Sequence, residues 1–156
     1  DCDLAWFEEP VGADDRAGLA ELRASTMIPV AVGESECTRF DFAALIAARA
    51  ADILQPDPAF CGGITEAMRI AALASAFNLR LAPHLWAGAP CFFAGLHVLA
   101  AAPAGYIVEF SLGANPMIHD LSRAPVVVQD GTIAVPDAPG LGLEMDIEII
   151  ARYARN

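Results

Sequence analysis

Five ionisable side chains recur along this sequence at nearly even intervals. They are Glu8, Glu34, Asp57, His84 and Glu109, separated by 26, 23, 27 and 25 residues. Each follows a short apolar run: Leu4-Ala5-Trp6-Phe7 before Glu8, Val30-Ala31-Val32-Gly33 before Glu34, and Ile53-Leu54-Gln55-Pro56 before Asp57. Leu79-Arg80-Leu81-Ala82-Pro83 precedes His84, and Tyr106-Ile107-Val108 precedes Glu109. Two carboxylates aimed at one point repel unless a cation lies between them. Hard oxygen donors with no cysteine or histidine beside them favour Mg2+ or Mn2+ over Zn2+, which makes Glu8 and Glu34 candidate metal ligands. An aspartate that accepts from one imidazole nitrogen fixes the tautomer and raises the basicity of the other, so Asp57 and His84 are a candidate acid–base pair. A carboxyl closing an apolar strand can stay neutral and donate a hydrogen bond to a developing oxyanion, the candidate role of Glu109. Taken singly, each has a plainer reading. Glu8 and Glu34 would be solvated loop acids, Asp57 a capping residue before Pro58, His84 a rim histidine satisfied by a carbonyl, and Glu109 a charged rim residue. The repeated spacing is what weighs against the plain readings.

Each interval is the length of one strand, one helix and two loops. Strands are expected at 4–7, 29–32, 53–55, 79–82 and 106–110, and helices at 16–25, 38–49, 64–77 and 89–101. The helical stripes are Leu19 and Leu22; Phe42, Leu45 and Ile46; and Ile64, Met68, Ala71 and Ala74. Asp14 and Asp15 supply an N-cap for the first helix. Continuous apolar strands alternating with helices imply an α/β fold with a parallel sheet covered by helices. A doubly wound sheet turns only two or three strand ends toward a ligand, whereas a (β/α) barrel opens every strand end into one bowl. A reactive residue at all five ends favours the barrel. About five strand–helix units leave it incomplete, since closure takes about eight strands. After Phe110 the pattern changes. Asp130-Gly131 marks a hairpin between 126–129 and 132–135, and a terminal helix is expected at 147–154. This divides the chain into a barrel part, 1–118, and a tail, 119–156, expected to lie against something other than the barrel wall.

The 156 residues are 56% hydrophobic with a net charge of −11, and the mean hydropathy is +0.45. An acidic surface repels phosphate backbones, so nucleic acid is not expected as a partner. Cys2, Cys37, Cys61 and Cys91 show no metal-binding spacing and read as reduced thiols of a cytoplasmic protein. The most apolar stretch, 87–102, is too short to span a bilayer and carries His97, so no membrane is expected either. The chain opens on Asp1 and enters a strand almost at once, as a piece of a longer polypeptide would.

Taken together, Trp6-Phe7-Glu8-Glu9-Pro10, Val32-Gly33-Glu34-Ser35, Leu54-Gln55-Pro56-Asp57 with Gly62-Gly63-Ile64-Thr65-Glu66, Ala82-Pro83-His84, Val108-Glu109-Phe110 and Val135-Pro136-Asp137-Ala138-Pro139-Gly140-Leu141-Gly142 resemble the mandelate racemase-like branch of the enolase superfamily. The resemblance covers essentially the whole chain. It implies the carboxyl-terminal part of a (β/α)7β barrel, with a tail that packs toward a capping domain and an essential Mg2+, Mn2+ being possible. Glu8 and Glu34 match two of three metal ligands, Asp57 and His84 the His–Asp dyad, and Glu109 the acid that steadies an enolate. The first metal ligand, a lysine base and most of the cap would precede Asp1. The implied chemistry is abstraction of the proton α to a carboxylate, giving a metal-stabilised enediolate. The leading expectation is dehydration of an acid sugar to a 2-keto-3-deoxy acid by a full-length homo-oligomer. The alternatives are a racemase or epimerase of a 2-hydroxy acid, and a catalytically inactive half-barrel.

Overall fold

The computed structural model describes residues 2–154. Four strand–helix units come first: β1 (Phe7–Glu8), α1 (Arg16–Ser25), β2 (Val30–Val32), α2 (Arg39–Ala47), β3 (Ile53–Leu54), α3 (Gly63–Ala76), β4 (Arg80–Leu81) and α4 (Ala89–Ala101). The strands form one parallel sheet in the order β1-β2-β3-β4, so every crossover leads to the next strand along. That is the connectivity of a barrel wall. The tail adds α5 (Pro116–His119), the hairpin β5 (Val128–Gln129) and β6 (Thr132–Ile133), and α6 (Ile147–Tyr153).

Both faces of the central strands β2 and β3 are covered, which explains why those two are apolar without alternation. Val30, Val32, Leu54 and Leu81 turn toward the helices and join a core with Leu19, Phe42, Leu45, Ala67, Ile70 and Ala74. Ala31, Ile53 and Ala82 turn the other way into a smaller cluster that Trp6 covers. Burying a side chain such as Ile70 completely contributes about 2–3 kcal/mol. The starts of α1 and α2 are held by short acidic side chains. Asp15 accepts from the Gly18 N–H at 2.9 Å, and Asp41 accepts from the Cys37 and Thr38 N–H groups at 3.2 and 3.4 Å. Charged pairs tie successive units together: Arg16 to Glu36, Arg23 to Asp52, and Arg39 to Glu66.

The structure corrects four expectations. The segment 106–110 is not a strand; its backbone meets β4 through the hydrogen bond from Tyr106 N–H to the Leu81 carbonyl, beside the bridge between Leu81 and Gly105. Four strands are therefore formed rather than five. The buried face of α3 is Ala67, Ile70, Ala71 and Ala74, while Ile64 is 44% exposed. Ala71 and Ala74 are buried as expected and Met68 packs at the edge of the core, so the correction is that Ala67 and Ile70 take the place of Ile64. Third, the tail does pack on the barrel wall. Leu121, Val126, Ile133, Leu141, Leu143 and Ile149 close over Phe92, Phe93 and Leu96 of α4, whose apolar surface is thereby buried. His97 adds a bond to the Leu141 carbonyl at 3.1 Å. Finally, His119, which the irregular composition after Asn115-Pro116 would place in a loop, ends the short helix α5.

Candidate functional site

Parallel strands end on the same side of a sheet, and here their register sets the site. Val32, Leu54 and Leu81 are level across β2, β3 and β4. Asp57 and His84 each lie three residues beyond that level, so the two side chains stand abreast on the inward face. The His84 Nδ1 is 2.8 Å from Asp57 Oδ2. Glu34 lies two residues beyond Val32, which on an undistorted strand would turn it outward. Gly33, at φ +134°, resets the alternation. A Cβ on Gly33 would come within 2.6 Å of the Phe42 ring, so the position admits only glycine. Glu34 Oε2 consequently reaches 3.3 Å from His84 Nε2. Glu8 is level with the inward-facing Ala31, and its Oε2 accepts from the Trp6 indole N–H at 3.0 Å. Glu109 reaches in from 106–110, where its Oε2 accepts from the Leu85 N–H at 2.9 Å.

The charges influence one another. The hydrogen bond that His84 makes to Asp57 raises the pKa of His84 against the opposing effect of burial, with Glu109 and Glu34 adding to the rise. Burial works against ionisation of Asp57, but hydrogen bonds from His84, Cys91 and the Ala59 N–H outweigh it and leave its pKa lowered. The structure thus favours a charged carboxylate held against a basic imidazole, with Nε2 directed toward Glu34.

Two neighbours have no signal in the spacing pattern. Glu9 adopts φ +35°, and its carboxyl lies 3.5 Å from the Gly33 N–H. Its pKa is raised by burial first, then by the charges of Glu34 and Glu8. Cys91, in the first turn of α4, donates its thiol to Asp57 Oδ1 at 3.1 Å. A Glu-Glu-Pro run and a cysteine within one turn of a helix start are too common to have pointed to either. Of the two aromatic residues just past His84, Trp86 is exposed and Phe92 is core.

Crowding of Glu8, Glu9 and Glu34 is the electrostatic setting of a cation site, and their all-oxygen chemistry suits a hard divalent ion. Among the described residues no three His, Cys, Asp or Glu side chains gather closely enough to complete such a site. Glu8 and Glu34 could therefore provide part of a coordination shell, with the remaining oxygens from elsewhere. The larger surface hollows lie away from these residues. One of about 610 Å3 is lined by Arg23, Ile46, Arg49 and Phe77. No described helix is long and apolar enough to cross a membrane.

Comparison with known proteins adds to this geometry. A family model described as enolase C-terminal domain-like matches residues 1–149. The chain is 36% identical to D-galactarolactone cycloisomerase of Agrobacterium fabrum (strain C58 / ATCC 33970), covering 96% of this chain and 42% of that protein. It is 36% identical to D-galactonate dehydratase of Ralstonia pickettii (strain 12J), over 96% of this chain and 41% of the relative. The structure of L-talarate dehydratase from Polaromonas sp. JS666, complexed with Mg and L-glucarate, superposes with a TM-score of 0.83 at 36% identity, covering 95% of this chain and 39% of that one. The chain thus spans about two fifths of the length of the relatives it matches.

Proposed function

The chain belongs to the enolase C-terminal domain-like family, and on that premise we propose that it is the carboxyl-terminal part of a Mg2+-dependent lyase acting on acid sugars. The reaction removes the proton α to a carboxylate and expels a β-hydroxyl as water, leaving a 2-keto-3-deoxy acid. The observation that carries this reading is the His84 ring, tied at Nδ1 to a buried aspartate and directed at Nε2 toward the carboxylates at the strand ends.

With Nδ1–H donated to Asp57, Nε2 of the neutral ring holds the lone pair. His84 takes the α proton there and, as the imidazolium, returns a proton to the departing hydroxyl, so the net loss is one water. Asp57 stays ionised throughout and offsets the charge that the ring acquires. Glu109, whose Oε2 accepts from the Leu85 N–H, would meet the negative charge growing on the substrate's carboxylate oxygens as a protonated acid donating a hydrogen bond. Glu8 and Glu34 would hold the divalent ion, whose contribution is to neutralise that same charge as a Lewis acid. A racemase needs a base on each face of the α-carbon. His84 supplies a base on one face; the family resemblance puts a second, a lysine, outside these 156 residues, so the product formed is what separates elimination from racemisation.

The test uses a polypeptide of the relatives' full length, Mg2+ and a panel of acid sugars including D-galactonate and L-talarate. A product positive to semicarbazide, absent with His84→Asn, supports the lyase. Solvent deuterium appearing at the α-carbon without net conversion makes it a racemase or epimerase. Neither result overturns both.

A further inference from the structure

Asp57 is 1% exposed and uses both of its carboxylate oxygens. Oδ2 meets His84 Nδ1, while Oδ1 accepts from the Ala59 N–H at 2.6 Å and from the Cys91 thiol at 3.1 Å. Cys91 lies 34 residues from Asp57, in the first turn of the helix that follows His84, and is itself buried. It is therefore a contact that closes only when β4 and α4 are seated on β3.

The two donors on Oδ1 hold the carboxylate from different directions. The Ala59 N–H is local, two residues on, and fixes the loop; the thiol comes from another element and limits rotation of the carboxylate plane. Burial, together with Asp57 itself, pushes the Cys91 thiol up to about 12. At neutral pH it is a protonated donor, neither a nucleophile nor a metal ligand. We propose that Cys91 is a positioning residue for the proton-transfer step: its S–H orients Asp57, and Asp57 in turn holds the tautomer and direction of the His84 ring. The proposal rests on the reading of His84 as the proton carrier. Two simpler accounts compete. Either the Ala59 N–H suffices, or the positive end of the α4 dipole holds the carboxylate without help from a side chain. Both predict that removing the thiol is silent.

The experiment compares Cys91→Ala, which removes the donor, with Cys91→Ser, which keeps one of similar size, in the full-length protein. The tautomer of His84 is read from its ring 15N shifts at alkaline pH, where the ring is neutral. The expected result is a single Nδ1–H tautomer in wild type, a mixture in Cys91→Ala, and a return to one form in Cys91→Ser. With substrate, kcat falls about tenfold in Cys91→Ala with KM within about twofold, and Cys91→Ser recovers to within about threefold of wild type. A single tautomer and unchanged kcat in a folded Cys91→Ala protein overturn the proposal. The infrared S–H stretch gives a readout that needs neither substrate nor turnover. Loss of that band in Cys91→Ser assigns it to Cys91. It should move in Asp57→Asn, and a band that stays in place overturns the proposal. Failure of wild type to convert any acid sugar would sink the lyase reading, while the tautomer and the S–H band would still decide the role of Cys91.

Discussion

Asp57 and Glu66 are both buried acids, 1% and 7% exposed, and both take several hydrogen bonds. Both have lowered pKa values, yet they are built for different ends. Glu66, in the first turn of α3, meets two guanidinium groups: Arg39 at 2.6 and 2.8 Å and Arg69 at 2.8 Å, and it also accepts from the Arg39 backbone N–H. Bonds from Arg69 and, against burial, from Arg39 hold its pKa at about 2. Arginine does not give up its proton, so this cluster keeps one charge state and joins α2 to α3. Asp57 faces an imidazole and a thiol, and the imidazole can gain or lose a proton near neutral pH. The identity of the donor, more than burial of the acid, separates a clamp from a proton-handling pair.

Substitution should break the symmetry between the two acids. Asp57→Asn in the full-length protein is expected to lower kcat about a thousandfold, because the amide no longer holds the neutral ring in the tautomer that exposes the Nε2 lone pair. The melting temperature should move little, and a loss of activity that merely tracks unfolding would contradict this. Glu66→Gln should do the reverse. It leaves Arg39 and Arg69 facing a neutral amide, so the melting temperature falls while turnover per folded molecule stays near wild type.

pH sharpens the contrast. Glu66 titrates at about 2 rather than 4.5, so its stabilisation is complete above pH 4.5 and is lost as pH falls through about 2. His84 is raised above 6.5, so its share is complete below pH 6.5 and fades as pH rises through the raised value. Asp57, lowered from 3.8, gives its share above pH 3.8 and loses it as pH falls through the lowered value. Melting curves across pH should therefore show the gap between wild type and Glu66→Gln closing only in acid. The gap for Asp57→Asn, smaller throughout, should narrow at both ends. The smallest effect concerns the rest of α3. Ile64→Ala should change stability by under about 0.5 kcal/mol, while Ile70→Ala should cost about 3 kcal/mol in chemical denaturation. Equal costs would mean that the buried face of α3 has been misassigned.

Much of the barrel wall was legible from hydrophobic period and capping. The helices at Arg16–Ser25 and Ala89–Ala101 fall where the pattern places them, and the strands of the sheet lie inside or beside the expected runs. The fifth strand was not legible, because Tyr106-Ile107-Val108 has strand composition but meets β4 only at its start. The α3 stripe was right for Met68, Ala71 and Ala74 and wrong at Ile64, where Ala67 and Ile70 turn inward instead. The tail could be divided into a hairpin and a helix, yet nothing local in it names α4 as its floor. At the strand ends, spacing alone picked out Glu8, Glu34, Asp57, His84 and Glu109 as a group. Glu9 and Cys91 stood beside them unmarked.

By itself the amino-acid order determined the alternation of strands and helices from β1 to α4, and it put an ionisable residue after each apolar run, since both follow from local periodicity. The tertiary structure decided which atoms meet. Register between parallel strands set His84 against Asp57, a left-handed glycine turned Glu34 inward, and the seating of α4 brought a thiol to Asp57 from 34 residues away. Such contacts depend on how whole elements dock, and no window of neighbouring residues contains that information.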